Sequence, residues 1–181
     1  MTHNFAIVID NKRCFNCQAC TVACRARNNV PEGKSRNWVK QTEFVTTDGS
    51  PQIQFEPGQC MQCEYPPCER VCPTGATYIN KDGIVLVNYD ICIGCRYCML
   101  ACPYDARYFD EETGVVDKCD FCFECVEYGE EPSCVTTCFG KARIFGDLND
   151  PNSEVSRLLS QRQHFVLKPE AGTSPKIYYL I

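Results

Sequence analysis

Hydrophobic positions along the chain come in short runs rather than in long stretches. Phe5–Asp10 and Ile84–Asn88 are rich in β-branched residues, and each predicts a short strand. Lys81–Gly83 is a tight-turn signal directly before the second of these strands. The longest apolar runs, such as Ile84–Val87 and Tyr178–Ile181, are far too short for a helix that crosses a bilayer.

A β-hairpin is predicted between residues 38 and 55. Trp38–Thr46 and Gln52–Phe55 are strand-like and flank Asp48-Gly49, a dipeptide typical of hairpin turns. We interpret this hairpin as an insertion, because the cysteine-rich segments on either side of it do not need it.

The last forty residues predict a turn, a helix and an extended end. The turn is expected at Gly146-Asp147, and Ser153 is a suitable N-cap for a short helix with apolar residues in Val155–Leu159. Lys176–Ile181 reads as a final strand or arm. This arm either docks onto its own chain or contacts a partner subunit.

Cysteine changes this picture, because 17 of the 181 residues are cysteine. Sixteen of them fall into four groups of four, and two groups have the spacing C-x2-C-x2-C-x3-C. In chain order the groups are Cys14, Cys17, Cys20 and Cys24; Cys60, Cys63, Cys68 and Cys72; Cys92, Cys95, Cys98 and Cys102; and Cys119, Cys122, Cys134 and Cys138. In the bacterial ferredoxin run, three thiolates hold one [4Fe–4S] cluster and the fourth ligates another. The pattern therefore predicts four [4Fe–4S] clusters that carry electrons.

Two other uses of cysteine fit less well. A disulfide scaffold is disfavoured because the cysteine count is odd and three sulfurs crowd onto one short loop. Zinc is bound by C-x2-C pairs, but it gives no reason for a third cysteine two residues later. Iron–sulfur ligation explains the whole spacing.

The four groups are of two types, which predicts the architecture. The first resembles the third and the second resembles the fourth, and ligand exchange requires one of each type per unit. We therefore expect an α+β fold of two nested bacterial-ferredoxin-like units related by a pseudo-twofold, with a β-hairpin insertion and a C-terminal extension. The predicted parts are 1–30 with 103–150 (outer unit), 31–56 (hairpin), 57–102 (inner unit) and 151–181 (C-terminal helix and tail).

The exchange rule assigns ligands to each cluster. Cluster 1 is predicted to bind Cys14, Cys17, Cys20 and Cys138; cluster 2, Cys24, Cys119, Cys122 and Cys134; cluster 3, Cys60, Cys63, Cys68 and Cys102; cluster 4, Cys72, Cys92, Cys95 and Cys98. Cys125 competes with Cys134, because it follows Cys122 at ferredoxin spacing. Cys134 is preferred, since three residues separate the third and fourth cysteines in every other group.

The chain resembles a known family nearly end to end. It is similar to the four-cluster iron–sulfur subunits of molybdopterin oxidoreductases of the dimethyl sulfoxide reductase family, and most of all to those of polysulfide and thiosulfate reductases. The stretches that carry the resemblance are Asp90–Pro103, Lys118–Cys122, Pro132–Cys138, Phe145–Pro151 and Leu167–Tyr179. Phe139 departs from the pattern, because proline is usual at that position.

The resemblance implies a non-catalytic electron-transfer subunit of an oxidoreductase complex. Cluster 1 would face a molybdopterin catalytic subunit containing molybdenum or tungsten, and cluster 4 would face a quinone-reactive integral membrane subunit. Arg96 and Tyr97 would lie near that exit, or belong to ordinary surface. No nucleophile–base pair is evident in the sequence, and His3 and His164 are isolated bystanders.

Several alternatives stay open at this point. The same relay could serve a respiratory arsenate, dimethyl sulfoxide, hydrogenase or formate-linked complex, or act as a stand-alone polyferredoxin. The net charge of −5 disfavours nucleic acid as a partner. Met1–Asp10 does not look like a signal peptide. We expect a peripheral subunit on the outer face of the cytoplasmic membrane, co-exported with its catalytic partner, with the cytoplasmic face as the alternative.

Overall fold

The computed structural model describes residues 2–181. Its strands are β1 (Phe5–Asp10), β2 (Asn37–Val45), β3 (Pro51–Gln59), β4 (Thr77–Ile79), β5 (Val85–Val87), β6 (Tyr108–Phe109), β7 (Val116–Asp117), β8 (Arg143–Asp147), β9 (His164–Phe165) and β10 (Ile177–Leu180). Its α-helices are α1 (Ala19–Asn28), α2 (Pro67–Arg70), α3 (Tyr97–Leu100), α4 (Phe123–Glu127), α5 (Ser133–Thr136) and α6 (Glu154–Gln161), and single 3-10 turns span Asn11–Arg13, Tyr89–Ile91 and Pro169–Ala171. The predicted α+β class is confirmed. Within residues 2–181, no helix is both long and apolar enough to cross a membrane.

The main sheet has the strand order β8-β1-β10-β9. β1 pairs antiparallel with β8 and parallel with β10, so Ile7 lies between Phe145 and Ile177. Ile7 and Ile9 pack into the largest apolar core, whereas Val8 points to the opposite face and packs into a second core under α6. A strand buried on both faces has no polar positions to alternate, which explains the continuous apolar run of β1.

Helix α6 begins as predicted, but the turn before it was misplaced. The Ser153 side chain caps the helix by accepting a hydrogen bond of 3.2 Å from the backbone N–H three residues later. The predicted turn at Gly146-Asp147 is wrong, because both residues belong to β8 and the chain turns at Leu148. A Cβ on Gly146 would lie 2.9 Å from Val155 Cγ2. Glycine at this position allows α6 to approach the sheet.

The hairpin predicted around residue 48 is confirmed and is longer than expected. β2 and β3 pair along nine residues each, and Gly49 takes the left-handed conformation at the turn (φ 86°). At the buried base, Trp38 lies over Gly58, where a Cβ would come within 2.4 Å of the indole nitrogen. The far end of the hairpin is exposed.

Two short ribbons bury sulfur atoms of the cysteine groups. β4 pairs with β5, and β6 pairs with β7. The turn predicted before β5 is present, with Gly83 at φ 71°. Val85 and Val116 pack with the buried thiols of Cys68 and Cys98. The ribbons therefore cover the region where two of the cysteine loops meet.

The segment 173–180 docks onto the body of its own chain. β10 is inserted between β1 and β9. Thr173 and Ser174 accept hydrogen bonds from two backbone N–H groups of the loop 61–65, at 3.1 and 2.9 Å, and Lys176 donates to a carbonyl of the same loop at 2.9 Å. Of the two alternatives for the arm Lys176–Ile181, the structure therefore shows docking onto its own chain.

Candidate metal centres

The first and third cysteine loops share a backbone arrangement that gathers their thiols. Left-handed residues stand two positions after the first cysteine and one position after the second. They are Asn16 (φ 58°) and Gln18 (φ 61°) in one loop, and Gly94 (φ 66°) and Arg96 (φ 63°) in the other. This conformation is sparsely populated outside glycine, so each loop is held in a particular shape. That shape turns three cysteines of the loop toward one cavity.

The structure brings the predicted ligands together in fours, and quartets 1 to 4 denote the cysteines predicted to bind clusters 1 to 4. The four thiols of quartet 1 line one cavity, and the same is true of quartet 2 and of quartet 4. The ligand assignments themselves stay predictions.

Quartet 3 is enclosed, as is quartet 2, with three buried thiols and one half-buried thiol. Cys60, Cys63 and Cys68 are buried, and Cys102 is half-buried. Burial, together with the sulfurs of the other three cysteines, raises the pKa of the Cys63 thiol to about 12, although a hydrogen bond from Thr173 acts in the opposite direction. Four thiols that repel one another's charged forms this strongly need a positively charged group among them to become thiolates together.

Cys125 lies outside quartet 2. It is carried on α4, and its thiol is absent from the cavity that Cys119, Cys122 and Cys134 line with Cys24. Burial raises the pKa of Cys125, and a hydrogen bond with Glu130 acts in the same direction. The geometry therefore favours Cys134, although ligation by either residue is still a prediction.

Backbone N–H groups donate to sulfur shortly after the last cysteine of two groups, four residues after Cys138 and five residues after Cys72. Ala142 N donates to Cys138 Sγ at 3.2 Å, and Thr77 N donates to Cys72 Sγ at 3.4 Å. Although burial acts to raise the pKa of Cys72, the hydrogen bonds from Thr77 and Thr74 lower it. Hydrogen bonds of this kind stabilise thiolate and affect the potential of a bound cluster.

Buried cations lie beside the quartets, and the sequence had not identified them. Arg107, Lys118 and Arg143 are at most 5% exposed. Within residues 2–181, Arg107 Nε and Arg143 Nη2 have no hydrogen-bond partner. Donors left unpaired beside sulfur fit an anionic, sulfur-rich cluster. A signal existed in the sequence, because Ala-Arg recurs at four and five residues after both Cys102 and Cys138.

A single metal ion fits the thiols less well than a cluster. Among residues 2–181, no three His, Cys, Asp or Glu side chains converge closely enough to hold one ion. Zinc would need such convergence, because its four ligands lie about 2.0–2.3 Å from the metal. In quartets 1, 2 and 4 the four thiols instead surround a shared cavity, as a polynuclear cluster would require.

A polar network ties quartet 2 to the surrounding residues. Arg36, which lines that cavity, donates to both carboxylate oxygens of Asp117 at 2.8 and 2.9 Å and to Asp120 at 3.2 Å. Tyr89 donates to Asp117 at 2.7 Å, and Tyr108 donates to the same carboxylate. Burial acts to raise the pKa of Asp117, but Arg36 and the two phenols hold it below its usual value.

Other residues singled out in the sequence have simpler surroundings. Arg96 stacks on the ring of Phe109 at 3.7 Å, and Tyr97 is 60% exposed. His3 hydrogen-bonds the Asp147 carboxylate at 2.7 Å, and His164 lies 3.1 Å from the Arg162 carbonyl. Neither histidine is near a quartet in these contacts.

Comparison with known proteins agrees with this geometry. A family model described as a 4Fe-4S dicluster domain matches residues 51–148, and a second model with the same description matches residues 13–76. This protein belongs to the 4Fe–4S dicluster family. The dicluster domains and the sixteen grouped cysteines support four [4Fe–4S] clusters.

Several curated relatives of this dicluster protein cover nearly all of it. The B subunit of tetrathionate reductase from Salmonella typhimurium is 46% identical and aligns with 98% of this chain and 72% of its own length. The B polypeptide of polysulfide reductase from Wolinella succinogenes is 42% identical, with 98% and 94% covered. A putative iron–sulfur B subunit of dimethyl sulfoxide reductase from Halobacterium salinarum is 41% identical, with 98% and 79% covered. The resemblance to the iron–sulfur subunits of this reductase family is confirmed, and the dicluster protein is an electron-transfer subunit.

Proposed function

We propose that this chain relays electrons between a molybdopterin catalytic subunit, similar to that of polysulfide or thiosulfate reductase, and a quinone-reactive membrane subunit. The observation that carries the proposal is the grouping of sixteen cysteines into four quartets, of which the two at the ends of the predicted relay have an exposed thiol. The relatives described above are B components of tetrathionate and polysulfide reductases, which supports a catalytic partner.

Each quartet is proposed to hold one cluster through its four thiolates. When bound, a [4Fe–4S] cluster accepts and releases one electron at a time. The thiolates fix the position of the cluster, and the N–H groups of Thr77 and Ala142 stabilise sulfur charge. The apolar cores around quartets 2 and 3 exclude water from the middle of the relay.

The quartets support the nested arrangement of two ferredoxin-like units. Quartets 3 and 4 are built from residues 60–102, whereas quartets 1 and 2 combine residues 14–24 with residues 119–138. We therefore propose the inner unit at 57–102 and the outer unit at 1–30 with 103–150. The hairpin at 31–56 and the end at 151–181 would be additions to this pair of units.

Exposed apolar side chains at both ends support contacts with partner subunits. Phe15 and Phe139 are 58% and 81% exposed near quartet 1, and Ile93 and Leu100 are 66% and 86% exposed near quartet 4. We propose that quartet 1 faces the catalytic subunit and that quartet 4 faces the membrane subunit. Through this anchor the protein would be peripheral on the outer face of the cytoplasmic membrane.

The orientation is tested by a matched pair of variants in the intact complex. Cys17→Ser and Cys95→Ser each remove the exposed thiol of one end quartet. Cys95→Ser should slow electron exchange with quinone, while an artificial donor that reduces the catalytic subunit directly still supports turnover. Cys17→Ser should instead disturb the link to the catalytic subunit. Intact quinone-linked activity in Cys95→Ser, together with its selective loss in Cys17→Ser, would show that the orientation is reversed.

A further inference from the structure

Arg107 lies between quartets 3 and 4. Its Nη2 donates to Cys68 Sγ of quartet 3 at 3.0 Å, and its side chain also lines the cavity of quartet 4. Burial acts to lower the pKa of Arg107, but the nearby sulfurs of Cys68, Cys60 and Cys98 raise it. These sulfurs come from both quartets, so a single guanidinium is close to two predicted clusters.

Arg143 occupies the corresponding place between quartets 1 and 2. It lines the cavity of quartet 1 and donates a hydrogen bond to Gln59. Gln59 lines the cavity of quartet 2, so Arg143 is in contact with the linings of both cavities. Its position in the sequence matches that of Arg107, five residues after the last cysteine of a group.

Lys118 occupies the remaining interval, between quartets 2 and 3. It is 1% exposed, and its ammonium donates to the carbonyl of Cys119 in quartet 2 at 2.9 Å and to the carbonyl of Val85. Val85, whose carbonyl accepts the second of these hydrogen bonds, packs against Cys68 of quartet 3. Every interval of the predicted relay thus contains one buried cation.

In the part of the chain that the structure describes, none of these three cations forms an ion pair with a carboxylate. Among residues 2–181, the ion pairs include no carboxylate bound to Arg107, Lys118 or Arg143. A buried charge without a counter-charge is strongly destabilising. Thiolate-bound clusters, each with a net charge of about −2 when oxidised, would supply the missing negative charge.

We propose that Arg143, Lys118 and Arg107 set the reduction potentials of the clusters in pairs, each residue acting on the two clusters that it separates. The inference rests on the proposed four-cluster relay. Reduction adds one electron and one negative charge to a cluster, with no bond formed or broken at the protein. A cation nearby stabilises the reduced form more than the oxidised form, so it raises the potential. Because the cation lies beside both clusters, it stabilises an electron on either one. It therefore does not make electron transfer between them less favourable in either direction.

The test is a redox titration of the anaerobically purified holoprotein, followed by EPR. Arg107→Gln should lower the reduction equilibrium constants of clusters 3 and 4 at least tenfold, which is about 59 mV for a one-electron couple. Arg143→Gln should do the same for clusters 1 and 2, and Lys118→Met for clusters 2 and 3. Arg107→Lys and Arg143→Lys keep the positive charge, so their cluster potentials should stay close to those of the wild type. Arg70→Gln is the control, since Arg70 is exposed and lies between Cys68 and Cys72 in the sequence.

Iron content and EPR spin count separate this inference from the function on which it rests. Four clusters with potentials that none of the three substitutions moves would overturn the inference and leave the relay intact. Equal shifts of all four clusters would also contradict it, because the effect would not follow the intervals. Loss of clusters from both the Gln and the Lys variants of an arginine would show that its guanidinium is needed for the structure of the site rather than for its charge. This result would overturn the proposal for that residue. Wild-type protein without four clusters would instead refute the proposed function.

Discussion

The two end quartets differ from the two middle quartets in their access to solvent. Cys17 of quartet 1 and Cys95 of quartet 4 are exposed, and each of these quartets contains only one buried thiol. Quartets 2 and 3 each contain three buried thiols and no exposed one. Electron tunnelling to a partner requires close approach, so the exposed ends are suited to exchange with other proteins and the middle to conduction.

The same division is visible in the electrostatics. Burial raises the pKa of Cys24 and Cys63 to about 12 and that of Cys134 to about 11, all in the middle quartets. At the ends, hydrogen bonds outweigh burial at Cys72 and lower its pKa. Burial also raises the pKa of Cys14 and Cys98 in the end quartets, where Arg143 and Arg107 act against it. The ends therefore differ from the middle in having exposed thiols and backbone hydrogen bonds in addition to buried cations.

The largest expected effect is the loss of a middle cluster. Cys134→Ser should remove about four of about sixteen iron atoms per chain, because no fifth thiol among residues 2–181 lines the cavity of quartet 2 and could replace the lost ligand. Cys125→Ser is the matched control and should keep the full iron content. Iron analysis and low-temperature EPR of both variants provide the measurement. Cluster loss in Cys125→Ser alone would show that Cys125, and not Cys134, is the ligand.

Iron should be removed faster from the two end quartets than from the two middle quartets. An iron chelator added to the oxidised holoprotein should extract about half of the iron in a fast phase, from the two clusters with an exposed thiol ligand. The slow phase should come from quartets 2 and 3. Stopped-flow absorbance follows both phases, and Cys17→Ser should reduce the amplitude of the fast phase only. A single phase for all of the iron would contradict the distinction between ends and middle.

Breaking the polar network beside quartet 2 should destabilise the middle without touching a ligand. Arg36→Met leaves the buried Asp117 carboxylate unpaired, which should cost roughly 3–5 kcal/mol of unfolding free energy. Lys34→Met is the control, because it breaks only an exposed ion pair with Glu111 and should change little. Anaerobic urea unfolding, followed by cluster absorbance, measures both. Equal effects would mean that the network contributes no more than surface charge.

The network also predicts a smaller effect of pH. Because the folded pKa of Asp117 lies below its unfolded value, its contribution is present above about pH 4 and is lost as the pH falls further. Burial and Asp117 raise the pKa values of Tyr89 and Tyr108, so the contribution of these phenols is present below about pH 10 and is lost above it. Asp117→Asn should flatten both limbs of the stability curve. An unchanged curve in this variant would show that the network does not cause the pH dependence of stability.

Spacing along the sequence predicted more of the candidate site than of the packing around it. The repeated cysteine spacings identified the thiols that the structure gathers into fours, since loops of fixed length restrict where their sulfurs can lie. The strand β1, the hairpin around Gly49 and the helix capped by Ser153 were also local patterns, and they were found.

Features that depend on distant contacts were missed. Gly146 looked like a turn residue, and only the approach of Val155 shows that it serves close packing. Arg36 reaches Asp117 across the fold, and the parallel pairing of β10 with β1 joins residues near opposite ends of the sequence. No local pattern encodes such pairs, because each side chain looks ordinary without its partner.

The docked segment 173–180 has a consequence for the order of biogenesis. These residues leave the ribosome after all sixteen grouped cysteines, and they complete both the main sheet and the cover over the loop 61–65. Thr173 hydrogen-bonds Tyr104 at 2.6 Å and also reaches Cys63. Such long-range pairings form late in folding. We therefore expect the loop 61–65, which carries Cys63, to stay uncovered in the nascent chain until this segment docks, so that quartet 3 is accessible for cluster insertion before it is closed.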